Sequence, residues 1–436
     1  MTVFELIGGL TALIAFFGYL NHRFIKLPDT IGITAVGLAF SLIAVVFREK
    51  IPGMTLWTHQ VVGLIDFSEI VFHGMLGLLL FAGSLHVNIA DMAKQKTAIL
   101  ALSTVGVVLS ILVVGVGGYA LFRMVGHPIP LTYCLLFGAL ISPTDPVAVL
   151  GVLKTARVSK GLETKITGES LFNDGTAVVA FLMLLGIAAG TTVPTFETIS
   201  LLLAKEILGA IAVGLGCGYV AFFLLKGVDS YPVEILITLS LATGGYALAE
   251  KLHVSAPIAV VIMGLVIGNH GAKSVMSEKT LQHLFGFWEL VDEVLTLMLF
   301  GLIGLVVMGF TLKPEFLMVS ALAIPLVLVA RFISVAIPVT LMQGYKRSTP
   351  NSVKIMTWGG LRGGISIALV LSLPPFPERE MLTMATYAVV LFSLLVQAPT
   401  LGPLLRKLRA DELAAAPAPP AESESAVKTQ NVEVTK

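Results

Sequence analysis

Residues 167–180 read TGESLFNDGTAVVA, and the apolar run continues as FLMLLGIAAG through residue 190. A glutamate, an asparagine and an aspartate stand where the neighbouring residues favour hydrocarbon, so the reading of this stretch depends on what surrounds the chain. Composition answers that first. Of 436 residues, 56% are hydrophobic and only 13% charged, about half the usual charged share of a soluble domain. The chain therefore reads as an all-α protein that crosses a membrane many times. Its formal net charge of +1, with basic residues scattered between apolar runs, excludes a nucleic-acid footprint. Cys134 and Cys217 both lie in apolar runs, which excludes a disulfide framework and a thiolate metal site.

A spanning helix needs roughly 20 apolar residues. That ruler predicts about thirteen spans, near 3–20, 30–47, 68–85, 98–122, 131–152, 166–189, 199–225, 233–250, 255–268, 290–309, 315–342, 355–373 and 382–405. The first lacks a basic segment ahead of it and reads as a retained helix rather than a signal peptide. The membrane part is thus residues 1–410. Residues 411–436, rich in Ala, Pro, Glu and Ser, are expected to be a disordered tail. Seventeen basic residues fall in loops after odd-numbered spans or in the C-terminal flank, and six fall on the other side. Because basic loops resist translocation, the N-terminus is expected outside and the C-terminus in the cytoplasm of a cell-membrane protein.

Counting from the cytoplasmic ends at a rise of ~1.5 Å per residue puts Asp174 about 14 Å, Asp145 about 10 Å and Arg362 about 12 Å deep. Three charges from three helices thus share one depth. The helices also read as interrupted there. Pro143 and Pro146 bracket Thr144 and Asp145, and Gly359, Gly360, Gly363 and Gly364 bracket Leu361 and Arg362. If spans 1–6 and 8–13 are two inverted repeats of six helices, the broken spans are the fifth of each, which points to a transporter's substrate site.

Charges at this depth are costly unless paired, hydrated or functional. Asp174, Asp145, Ser170, Thr144 and carbonyls released around Pro143 to Pro146 offer the oxygen set that a monovalent metal cation such as Na+ requires. A desolvated carboxylate binds a proton more tightly, so proton and cation exclude one another, and that competition suffices for antiport. Ser170 and Thr144 read equally well as helix-packing hydroxyls. Glu169, on one helical face with Asn173, is either a further site residue or the buried partner of Arg362. The eight histidines mostly flank span ends, where solvated side chains are the ordinary reading.

SPTDP, GESLFNDG and WGGLRGGISIAL resemble the signature segments of the cation:proton antiporter family that includes NhaP-type bacterial sodium/proton antiporters and the animal sodium/hydrogen exchangers. FWELVDEVLTLMLFGLIGL and the arginine of LVARFISVAIP extend the likeness across the membrane part. The resemblance implies thirteen helices per protomer in a homodimer. It implies a core domain of about 98–189 and 315–405, with broken helices crossing, that moves in alternating access against interface helices of about 1–85 and 199–309. It implies Asp174 as the ion-binding aspartate and Asn173 as its motif partner, with Asp145, Thr144, Ser170 and Glu169 on site positions. Arg362 falls on the arginine that pairs with the glutamate, and Arg331 on a second core arginine. Asparagine before the aspartate resembles the electroneutral branch, exchanging one Na+ for one H+. K+/H+ antiport is the alternative, and Li+ a further substrate. The protein is expected to be no enzyme and to need no cofactor. A channel and an intramembrane enzyme fit less well, since no selectivity-filter loop repeats and the aspartates are not in GxGD or DDxxD contexts.

Overall fold

The computed structural model describes residues 3–47, 67–145, 149, 153, 159–271, 276–309, 313–343 and 351–415. Pro146, the loop residues Lys154, Arg157 and Lys273, His59 and residues 416–436 lie outside them. The described residues are helical, with no strand among them. The helices are α1 (Val3–Leu20), α2 (Asp29–Phe47), α3 (Phe67–Leu85), α4 (Ile89–Met124), α5 (Leu131–Ile141), α6 (Lys160–Ala188) and α7 (Phe196–Lys226). They continue with α8 (Tyr231–Lys251), α9 (Ala256–Val266), α10 (Glu278–Val306), α11 (Pro314–Gln343), α12 (Ser352–Trp358), α13 (Gly364–Leu371) and α14 (Arg379–Leu408).

Among the described residues, ten helices are long and apolar enough to cross a membrane, against the thirteen spans expected. The difference has a physical origin in three expected spans. The one at 131–152 is helical only as α5, because Pro143 has no N–H to offer the Ala139 carbonyl and residues 142–145 run on without helix. The one at 355–373 is divided into α12 and α13 by the Gly-rich stretch at 359–363. The ninth is short, α9 passing into a π turn over Ile267–Gly271. The C-terminal helix runs on to Ala415, so residues 411–415 of the expected tail are helical instead.

Two sets of helices pack most closely among themselves. One joins α4, α5, α6, α11, α13 and α14 around Phe122, Phe137 and Phe181. The other joins α3, α7, α8, α9 and α10 around Phe81 and Trp288, with α1 and α2 added against α10. Polar ties between helices are sparse and specific, as they must be where water cannot compete. Ser41 donates to the Gly304 carbonyl at 2.8 Å, Trp288 Nε1 to Thr238 Oγ1 at 3.0 Å, and Tyr387 to the Ile303 carbonyl at 2.7 Å. Large apolar side chains such as Phe4, Phe223 and Leu341 point outward, as on a surface that meets lipid.

Candidate ion-binding site

The two interrupted helices meet at their breaks. The Asp145 amide donates to the Leu361 carbonyl at 2.8 Å, so each stretch supplies a partner that the other lost when its helix ended. Arg362 fills the rest of the deficit. Its Nη1 donates to the carbonyls of Ser142 (2.5 Å) and Pro143 (3.1 Å), and its own amide donates to Ser393 Oγ at 3.1 Å. Ser393 in turn donates to Gln397 Oε1 at 2.6 Å, and Gln397 Nε2 donates to the Trp358 carbonyl at 3.2 Å. Ser393 and Gln397 sit at the ends of a π turn in α14, the local form that brings both side chains to the break. The Pro143 carbonyl, expected among the released ligands, thus accepts from Arg362 with one of its two lone pairs.

Two glycines make this crossing possible by their size. A Cβ on Gly363 would stand 2.5 Å from Asp145 Oδ2, and one on Gly360 would collide with the Arg331 guanidinium. Gly363 has a φ of −127°, extended backbone open to any residue, so space rather than conformation requires glycine here.

Beside the crossing, α6 runs through Asp174 as continuous helix. Asn173 Nδ2 donates to Thr144 Oγ1 at 2.7 Å, and that hydroxyl shares a further hydrogen bond with Ser170 Oγ at 3.0 Å. Asn173 is therefore occupied in fastening α6 to the 142–145 stretch. Asp174 is only 5% exposed, and its Oδ1 has no hydrogen-bond partner. A buried carboxylate oxygen left unpaired is costly. The residue lines a cavity of about 140 Å³, with Thr144, Asp145 and Asp174 on one side and α3 and α10 on the other. That is room for several waters or a partly hydrated cation.

Glu169 is elsewhere. The expected pairing with Arg362 does not form: both carboxylate oxygens accept from Arg331, the second at 3.1 Å from Nη2, and Arg331 Nε also donates to the Met356 carbonyl at 3.2 Å. The reason is geometric, since the guanidinium of Arg362 is spent on the broken end of α5. Of the predicted site residues, the structure brings Asp174, Asp145 and Thr144 to the cavity, with Ser170 and Asn173 bonded to Thr144. Glu169 and Arg331 form a separate buried pair. Sequence reading missed Ser393 and Gln397, and also Asp292 and Thr296 of α10, which line the same cavity. An aspartate and a threonine at i, i+4 in an otherwise apolar helix were the available signal for the latter pair.

An all-helical membrane-spanning fold with a buried carboxylate facing a small cavity beside two crossed helix breaks defines the class: an integral membrane protein built around an internal polar site. The family model for "Sodium/hydrogen exchanger, transmembrane" matches residues 12–407, and the chain belongs to that family. It is 45% identical over 416 residues to the Na(+)/H(+) antiporter NhaP of Pseudomonas aeruginosa, covering 94% of this chain and 97% of that one. It is 35% identical over 401 residues to the Na(+)/H(+) antiporter NhaH of Halobacillus aidingensis, covering 88% and 93%. Among solved structures, the sodium proton antiporter MjNhaP1 of Methanocaldococcus jannaschii superposes with a TM-score of 0.71 at 20% identity, over 94% of this chain and 99% of that one. That likeness concerns the fold.

Proposed function

We propose that this chain exchanges Na+ for H+ across the cell membrane, one for one, by alternating access in which the two ions compete for Asp174. One observation carries the reading. Asp174 lines a cavity together with Asp145 and Thr144, and its Oδ1 is buried without a hydrogen-bond partner. Such an oxygen is satisfied either by a proton or by a cation, and not by both at once. Asp145, Thr144, Ser170 and the carbonyl stretch beside them complete the oxygen set. Asn173, committed to Thr144, adds no second titrating carboxylate next to Asp174, which favours an exchange that moves no net charge. Glu169 with Arg331, and Arg362 with the carbonyls, serve as the frame. The antiporter names of the relatives supply the choice of Na+.

The same reading assigns the mobile core to about 98–189 and 315–405, and the dimerising interface to about 1–85 and 199–309. The site lies at the seam between them. Thirteen spans in two inverted halves, with the N-terminus outside and the C-terminus cytoplasmic, complete the proposal.

Reconstituted vesicles with an internal pH dye test it. Addition of Na+ should drive proton movement, with Li+ and K+ compared at equal concentration. Flux with K+ alone would replace Na+ by K+ in the assignment, and cation flux without proton movement would remove antiport altogether.

A further inference from the structure

The cavity beside Asp174 has two walls of different origin. Thr144, Asp145 and Asp174 come from the set of helices that contains the breaks, whereas Asp292 and Thr296 come from α10, which packs with the other set. Asp292 is partly buried, and Thr296 is buried one helical turn further on the same face. Their neighbours differ. Glu289 and Glu293 are exposed and do not line the cavity. One carboxylate of this acidic trio is thus turned toward the ion site from across the gap.

We propose that Asp292, with the Thr296 hydroxyl, is an affinity-determining cation subsite on the wall opposite Asp174, which receives the incoming cation and passes it to the Asp174 cluster. This inference rests on the antiport reading. A carboxylate facing the site raises the local concentration of cations without exchanging a proton in the cycle. The hydroxyl supplies a neutral oxygen as waters of hydration are shed. Because α10 does not belong to the helices that carry Asp174, such a subsite acts while this cavity is open and is left behind when the core moves. Its removal weakens capture and spares turnover.

The test measures Na+-driven proton flux over a range of Na+ concentrations in vesicles, for wild type, Asp292→Asn, Asp292→Glu, Thr296→Val and Glu293→Gln. Asp292→Asn should raise KM for Na+ by about fivefold, the scale of one unit-charge interaction at ~4 Å through water, with maximal rate close to wild type. Asp292→Glu should restore most of the affinity, Thr296→Val should give a smaller rise, and Glu293→Gln should leave KM near wild type. An unchanged KM in Asp292→Asn overturns the proposal. So does complete loss of flux in folded Asp292→Asn, which would make Asp292 a ligand of the transported ion. An equal KM rise in Glu293→Gln also overturns it, since the effect would then be general electrostatics. Na+-dependent stabilisation of the purified protein in detergent reads the same affinity order without any flux. If wild type moved no protons, that assay would still decide for or against Asp292, while the antiport reading would fall separately.

Discussion

Glu169 is held by both terminal nitrogens of Arg331, while Arg362, equally buried and nearer the helix crossing, spends its guanidinium on the carbonyls of Ser142 and Pro143. The two buried arginines therefore do different work. Arg331 neutralises a side chain and ties α11 to α6 and to the end of α12. Arg362 supplies a donor to the two carbonyls that follow the last turn of α5.

This division predicts the outcome of a double-mutant cycle. Removing either member of Glu169–Arg331 leaves an uncompensated charge in low dielectric and should cost about 3–5 kcal/mol, whereas the apolar double variant Glu169→Leu/Arg331→Met should recover most of it. Glu169 with Arg362 should show far weaker coupling. Thermal unfolding of the purified variants in detergent measures both cycles, and stronger coupling of Glu169 to Arg362 would contradict the arrangement.

Glycine size at the crossing gives a second expectation. Gly363→Ala puts a methyl group against the Asp145 carboxylate and should weaken Na+ activation of transport, while Gly360→Ala strikes Arg331 and should lower thermal stability. Gly8→Ala, which meets nothing within 4 Å, should do neither. A Gly363→Ala protein with unaltered Na+ dependence would mean that Asp145 moves aside without consequence for the site.

Much of this was legible in the chain itself, because hydropathy, proline and glycine act locally. Pro143 and the glycines from 359 to 364 marked both breaks, and Asp174 stood out as a charge deep in an apolar helix. What local reading could not supply was the choice of partner. Glu169 had two arginines within the same apolar third of the chain, and only the three-dimensional competition for Arg362, won by the Ser142 and Pro143 carbonyls, decides between them. Ser393 and Gln397 were invisible for a related reason. Their i, i+4 spacing is ordinary in a helix, and their role comes from a π turn facing a break in a different segment.

The Ser393–Gln397 pair should accordingly matter to the break more than its chemistry suggests. Gln397→Leu takes the donor from the Trp358 carbonyl and the acceptor from the Ser393 hydroxyl proton, while Ser393 Oγ still accepts from the Arg362 amide, a loss of roughly 1–3 kcal/mol for each buried group so stranded. Gln397→Glu keeps the acceptor for Ser393 and loses the donor to Trp358, so its loss should be smaller. Denaturation midpoints of the two variants, measured at one pH, check the order, and equal stability to wild type would show that the clamp is redundant.

Topology follows from the distribution of basic residues. In a cysteine-free background, a cysteine near Lys160 should react with an impermeant thiol reagent only from the cytoplasm, and one near Thr192 only from outside. These positions flank the two ends of α6. Reaction of both from one face would refute a crossing by α6 and with it the depth assigned to Asp174.

If proton and Na+ compete at Asp174 as proposed, the competition has a sign that can be measured. Below the pKa of the carboxylate, each fall of one pH unit makes the proton a tenfold stronger competitor, so the apparent Na+ affinity should weaken by up to about tenfold per unit, and above that pKa it should become independent of pH. Asp174→Asn can neither release nor take up the proton, and it should fold and show no Na+-dependent proton flux. If one proton is exchanged for one cation, the wild-type rate should be the same whether the membrane potential is clamped at zero or set by a potassium gradient with valinomycin. Asn173→Asp removes the amide that donates to Thr144 and adds a further carboxylate next to Asp174 in the chain, so an active variant should acquire a rate that responds to voltage. Undiminished coupled flux in Asp174→Asn would remove this aspartate from the mechanism, and a wild-type rate that followed the imposed potential would exclude one-for-one exchange.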